Sequence, residues 1–273
     1  MKTYFSGGQW AKFGPSSTPM SHDERPTPPR RLIHRVHRRW RSAPSSSSTL
    51  SGRALRKPAF PAADSPCEID ISLRQFALSE ARHGNYETAI EAFNILLEQV
   101  PHSAVDYNNR GLVHCQNGNP EQALDDYNTA IALNPNLDNA YNNRANFHAS
   151  EGNFLEAILD YDTAIELNPG NIRAWINQGI TFRDMSLYEH ALENFDVALH
   201  LACESQNLHG HIYAERGRVH HLYGDWNCAI ADYNRAIVHL PKPMPPFNTP
   251  SLRLRVQVEV WLDDLLSPIQ VER

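Results

Sequence analysis

From Cys67 onward, apolar residues recur at helical spacing. Ala123, Tyr127, Ala130 and Ile131 share one face of a 3.6-residue period. The pattern predicts pairs of amphipathic helices around glycine-containing breaks. One pair covers 104–117 and 120–133 around Gly118-Asn119, and the next covers 138–151 and 154–167 around Gly152-Asn153. Glycine, asparagine and proline between the apolar segments end each helix.

The pairs form a series. Ala89, Ala123, Ala157 and Ala191 step by 34 residues, as do Phe93, Tyr127, Tyr161 and Phe195, and Pro101, Pro135 and Pro169. Three series at one period mark a repeat array, in which each hairpin is too small to fold alone and must stack on its neighbours. The units cover about 70–103, 104–137, 138–171, 172–205 and 210–243. The step from the fourth unit at Ile172 to the fifth near Gly210 is 38, so four residues are added within CESQNLHG, and a longer helix or a loop is expected there.

These positions resemble the tetratricopeptide repeat family. The second unit carries its pattern as Tyr107, Gly111, His114, Ala123, Tyr127, Ala130 and Pro135, and the third as Tyr141, Ala145, His148, Ala157, Tyr161, Ala164 and Pro169. The fourth has Trp175, Gly179, Phe182, Ala191, Phe195 and Ala198 with Cys203 in place of the proline. The fifth has Tyr213, Gly217, His220, Ala229, Tyr233, Ala236 and Pro241. The first is degenerate, with Leu73 for the aromatic and Leu96 for an alanine. The resemblance spans about residues 70–241 of a 67–241 repeat domain and implies an all-α, right-handed α-solenoid of about five hairpins. Small residues at the eighth and twentieth positions let the two helices of a hairpin approach, and aromatics fill the space between hairpins. Beyond a proline-rich linker at 242–249, Thr249-Pro250 reads as a helix start, and a capping helix is expected at 250–266.

Charge divides the 273-residue chain. Residues 1–66 hold twelve Lys/Arg against Asp23, Glu24 and Asp64, a net of +9, and the remainder carries a net of −15. With nine prolines and the run Ser45 to Ser48, the first 66 residues read as a disordered basic tail. A nucleic acid or an acidic membrane surface is expected to bind only through this tail, at residues 25–57, in which RRLIHRVHRRWR, Arg30 to Arg41, is the stretch suited to form a short helix on an acidic surface. Cys67, Cys115, Cys203 and Cys228 have no CxxC spacing, which favours free thiols. No apolar run approaches the ~20 residues of a membrane span, and the expected compartment is the cytoplasm, with organelle targeting through the tail as the alternative.

Candidate chemistry is sparse. No phosphate loop, nucleophile elbow or tuned carboxylate pair is present, so no catalytic residue, enzyme activity or cofactor is assigned. His209, His211, His220 and His221 cluster near Cys203, but His114, His148 and His220 share the bulky eleventh position and read as packing residues; no metal site is assigned. Two polar series remain. In the family, first-helix positions face a groove, and in this chain they carry Asn108, Asn109, Asn142, Asn143, Asn146 and Asn177, with Gln75 and Glu215 at the sixth position of the first and fifth units. Carboxamides both donate and accept, so this series is expected to hold an extended segment of another protein. A C-terminal carboxylate clamp is not expected: its best register, Asn142, Asn146, Asn177, His211 and Glu215, lacks cations. The second series is Arg110, Arg144 and Arg216 at position seven with Asp126, Asp160 and Asp232 at position twenty-three. The fourth unit has Gln178 with Asn194 and the first has Phe76 with Ala92. Both positions change character together, so they are expected to face each other within a hairpin, as ion pairs in three of the five.

The reading is a non-catalytic scaffold for protein partners. An assembly or regulatory factor tethered by its basic tail is the alternative.

Overall fold

The computed structural model describes residues 68–202, 206–241 and 250–267. The basic tail, Cys203 and the linker at 242–249 lie outside them. From Asp70 onward the described residues belong to one compact unit. They form eleven α-helices and no strand: α1 (Glu68–His83), α2 (Tyr86–Gln99), α3 (Ala104–Gln116), α4 (Pro120–Leu133), α5 (Asp138–Ser150), α6 (Phe154–Leu167), α7 (Ile172–Asp184), α8 (Tyr188–Leu201), α9 (Gln206–Tyr223), α10 (Trp226–His239) and α11 (Pro250–Leu266).

Five antiparallel hairpins, α1–α2 to α9–α10, stack as an α-solenoid, and α11 packs on the last of them. Each turn is made the same way. In the second hairpin the Asn119 amide donates to the His114 carbonyl at 2.9 Å and the Gly118 amide to the Cys115 carbonyl at 3.3 Å. This paired pattern satisfies carbonyls left open at a helix end and requires a left-handed residue between them. Gly118 supplies it with φ +80°, whereas the fourth hairpin places Ser186 there at φ +60°.

Packing follows the small-residue positions. A Cβ on Gly111 would lie 2.9 Å from Tyr127 Cε1 and 3.1 Å from the Ala123 carbonyl oxygen, so glycine lets α3 lie against α4. Ala123, Tyr127, Ala157, Tyr161, Ala191 and Phe195 are buried in this hairpin seam. Each second helix packs on the next first helix, and successive first helices touch from α3 to α9. The first helices from α3 to α9 therefore form one continuous face.

The four added residues lengthen a helix: α9 has 18 residues, against 13 in α3, α5 and α7. At the C-terminal end, Val258 of α11 is fully buried and Trp261 stacks on Tyr233 at 5.7 Å between ring centroids. Arg255 donates to the Ile237 and Leu240 carbonyls at 2.6 and 3.0 Å, closing the end of α10.

Candidate protein-binding face

The arginine series lies inside the hairpins. Arg110 Nε and Nη2 donate to the two carboxylate oxygens of Asp126 at 2.9 and 2.6 Å. Arg144 grips Asp160 at 2.7 and 2.8 Å, and Arg216 grips Asp232 at 2.6 and 2.9 Å. Asp126, Asp160 and Asp232 are buried, and two-pronged binding matches the guanidinium fork to the carboxylate. Hydrogen bonding to Asp126 and to Asp160 raises Arg110 and Arg144 above the ordinary arginine range, against the opposing effect of burial. Burial is the largest single influence on Arg216 and pulls it down, but Asp232 and Asp196 together outweigh it and the net shift is upward.

Each arginine has a second job that the sequence did not reveal. Its Nη1 reaches back to the second helix of the preceding hairpin: Arg110 to Asn94 at 2.7 Å, Arg144 to Asn128 at 2.8 Å and Arg216 to Asp196 at 2.5 Å. The first two partners lie 16 residues upstream and the third 20, so the insertion shifts the numbering but not the contact. In the fourth hairpin Gln178 replaces arginine in the same place. Its Nε2 donates to Asp162 of the preceding hairpin at 2.7 Å, and its Oε1 accepts from Asn194 at 3.0 Å. The position-seven residue is thus a three-way joint between its own hairpin and the one before. In the first hairpin Phe76 is exposed at that position and Ala92 is buried.

The asparagine series divides. Asn108, Asn142 and Asn177 are buried, with 4–6% of their surface exposed, and do not stand free on the groove as the periodicity alone suggested. They are linked across hairpins. Asn177 Nδ2 donates to Asn142 Oδ1 at 3.1 Å, Asn142 Nδ2 to Asn143 Oδ1 at 3.3 Å, and Asn143 Nδ2 to Asn108 Oδ1 at 2.9 Å. The physical reason is that first helices touch one another, so an amide on one finds an amide on the next and loses less on burial. Asn146 is also engaged, accepting from the buried Tyr161 hydroxyl at 2.6 Å. Asn109 differs from all five: it is half-buried and makes no side-chain hydrogen bond with any described residue.

The first helices of the first two hairpins also expose apolar side chains at one repeat position. Val105, one turn before Asn109 on α3, is 47% exposed, and Ile71 at the matching position of α1 is 42% exposed. Gln75 of α1 is exposed beside them in the pattern, and Leu112 is half-buried one turn after Asn109. Toward the fifth hairpin the face closes: Glu215 pairs with Arg183, and burial holds the His211 imidazole below its ordinary range. Of the other histidines considered for metal binding, His209 stacks on His239 and the His221 Nδ1 lies 3.3 Å from the Tyr233 hydroxyl, so the four do not converge. Among the described residues, no helix is long and apolar enough to cross a membrane.

The profile of the tetratricopeptide repeat family matches residues 104–137 and 139–171. No curated protein matches the sequence. Several solved structures resemble it in fold. A tetratricopeptide repeat protein of Thermus thermophilus, TTC0263, is 18% identical over 71% of this chain and 98% of its own, with a TM-score of 0.60. PilW, a type IV pilus biogenesis factor, is 16% identical over 73% and 94%, with a TM-score of 0.59. The Cut9–Hcn1 hetero-tetramer of the APC/C is 19% identical over 69% and 36%, with a TM-score of 0.58.

Proposed function

We propose that this chain, which matches the tetratricopeptide repeat profile over residues 104–137 and 139–171, is a non-catalytic scaffold that holds an extended segment of another protein on the first helices of its first two hairpins. One observation carries the location: the Asn109 carboxamide makes no hydrogen bond with any described residue, while the other five asparagines of the series are engaged within the fold. A carboxamide that can donate and accept at once suits the backbone of an extended chain, whose amides and carbonyls alternate. Val105 and Ile71 flank it as exposed apolar surface for alternate side chains of that segment. The linked asparagines Asn108, Asn142, Asn143 and Asn177 serve this face from behind. They tie α3 to α5 and α5 to α7, so α3 is held in place before a partner binds and less freedom is lost. Cut9 in one similar structure is assembled with a second protein, Hcn1, which accords with a protein partner for this fold.

Affinity capture from the native source tests the reading. Wild type and an outer-face control, Asp125→Ala, are expected to retain the same partner, whereas Val105→Glu and Asn109→Ala lose it. Asp125 is exposed on α4 and offers the control. Equal capture by all four chains contradicts the reading. Capture that instead depends on the basic residues of Arg30 to Arg41 would move the function to the N-terminal segment.

A further inference from the structure

Three side chains of different chemistry meet where the fifth hairpin turns. α9 ends at Tyr223, Gly224 adopts φ +90°, and Asp225 caps α10. The turn brings His220, one helical turn before it, beside Asp225 and beside Cys228, the third residue of α10. One nitrogen, one oxygen and one sulfur from these residues all lie within 4.8 Å of one another.

The cap does not account for the arrangement. Asp225 Oδ1 accepts the Cys228 backbone amide at 3.2 Å, which is all that capping requires. Its other oxygen, Oδ2, lies 3.8 Å from His220 Nδ1. That gap is too long for a hydrogen bond, and His220 Nδ1, like the Nδ1 of His114 and His148 at the matching positions, is buried with no hydrogen-bond partner among the described residues; what is particular to this turn is the carboxylate and the thiol beside the imidazole. The gap is instead near the edge of a tetrahedral ion site, where bonds of ~2.0–2.3 Å set neighbouring ligand atoms about 3.3–3.6 Å apart. The fold itself does not need the three together. At the matching positions the second hairpin has His114, Asn119 and Gln122, and the third has His148, Asn153 and Glu156, and both make the same turn.

We propose that His220, Asp225 and Cys228 bind a zinc ion through Nδ1, a carboxylate oxygen and the thiolate, with water in the fourth position. Imidazole, carboxylate and thiolate are each ordinary zinc ligands, and the exposure of Asp225 and Cys228 leaves the outer side of the site open. The ion ties the end of α9 to the start of α10. Because cysteine binds the ion as thiolate, binding releases the thiol proton to solvent.

Titration of the reduced full-length chain with Co²⁺, followed by displacement with Zn²⁺, tests the site. One equivalent of Co²⁺ is expected to produce a thiolate-to-cobalt absorption band that Zn²⁺ removes. Cys228→Ser abolishes the band with helix content unchanged. Asp225→Asn keeps a good N-cap but weakens Co²⁺ binding by about tenfold or more. His148→Asn, at the matching position of the third hairpin, leaves it unaltered. Absence of the band in wild type, its survival in Cys228→Ser, or equal affinity in Asp225→Asn would overturn the proposal.

Discussion

The three-way joint predicts that one carboxylate weakens this protein near neutral pH. Asp162 sits where the other joints place Asn94, Asn128 and Asp196, but those residues face an arginine and Asp162 faces Gln178. Burial raises its carboxyl from 3.8 to about 6, opposed by the Gln178 amide and reinforced by Glu166. A rise of about two units corresponds to ~3 kcal/mol of differential stability, and partial contact with water lowers this to about 1–3 kcal/mol. The sign follows from linkage. Folded Asp162 keeps its proton up to about pH 6, whereas the unfolded chain releases it near 3.8. Between those values folding takes up a proton, so stability falls as pH rises, and the full penalty is present above pH 6. Asp162→Asn keeps a carbonyl for Gln178 and removes the charge. The variant should match wild type near pH 3.5 and exceed it by about 1–3 kcal/mol at pH 8. Urea unfolding from pH 3.5 to 8, read as a midpoint shift at unchanged m value, measures the difference. The reasoning is refuted if the gain is the same at every pH, or if Asp162→Asn is less stable at pH 8.

Three further predictions test the joints and turns. A double-mutant cycle with Arg144→Gln and Asp160→Asn should give a coupling of about 1–3 kcal/mol in denaturant unfolding, with the single Arg144 change costing about 3 kcal/mol because it leaves Asp160 buried without its partner. Ser186→Gly should raise stability by about 0.5–1 kcal/mol, since only this turn of the five holds a side chain at positive φ, and thermal unfolding would reveal a loss instead if the serine is favoured there. Gly111→Ala should lower stability by about 1–3 kcal/mol by forcing a methyl against Tyr127 and the Ala123 carbonyl, while Gly118→Ala should cost a comparable amount through backbone strain alone and leave the near-ultraviolet signal of Tyr127 unchanged.

The hairpins were legible because their pattern is local and repeated five times. The pairing of positions seven and twenty-three was also legible, since Arg–Asp, Gln–Asn and Phe–Ala change together within one chain. The backward reach of each arginine was not. Its partners are Asn, Asn and Asp at offsets of 16, 16 and 20, so neither residue type nor spacing stays constant. The asparagine series misled for a different reason. A 34-residue recurrence is produced equally by amides that meet a ligand and by amides that meet each other. Only the proximity of successive first helices shows that Asn177, Asn142, Asn143 and Asn108 are of the second kind. His220 was legible as a packing residue, but its approach to Asp225 was not, because nothing in the spacing reveals that a left-handed Gly224 turns the two toward each other.

The central claim is that a partner lies along α1 and α3. Site-specific photo-crosslinking tests it most directly, with a photoreactive side chain placed at Asn109 in one chain and at Asp125 on the outer surface of α4 in another. A discrete crosslinked partner is expected from position 109, competed away by excess unlabelled protein, and none from position 125. A partner captured from position 125 alone, or equally from both, would contradict it.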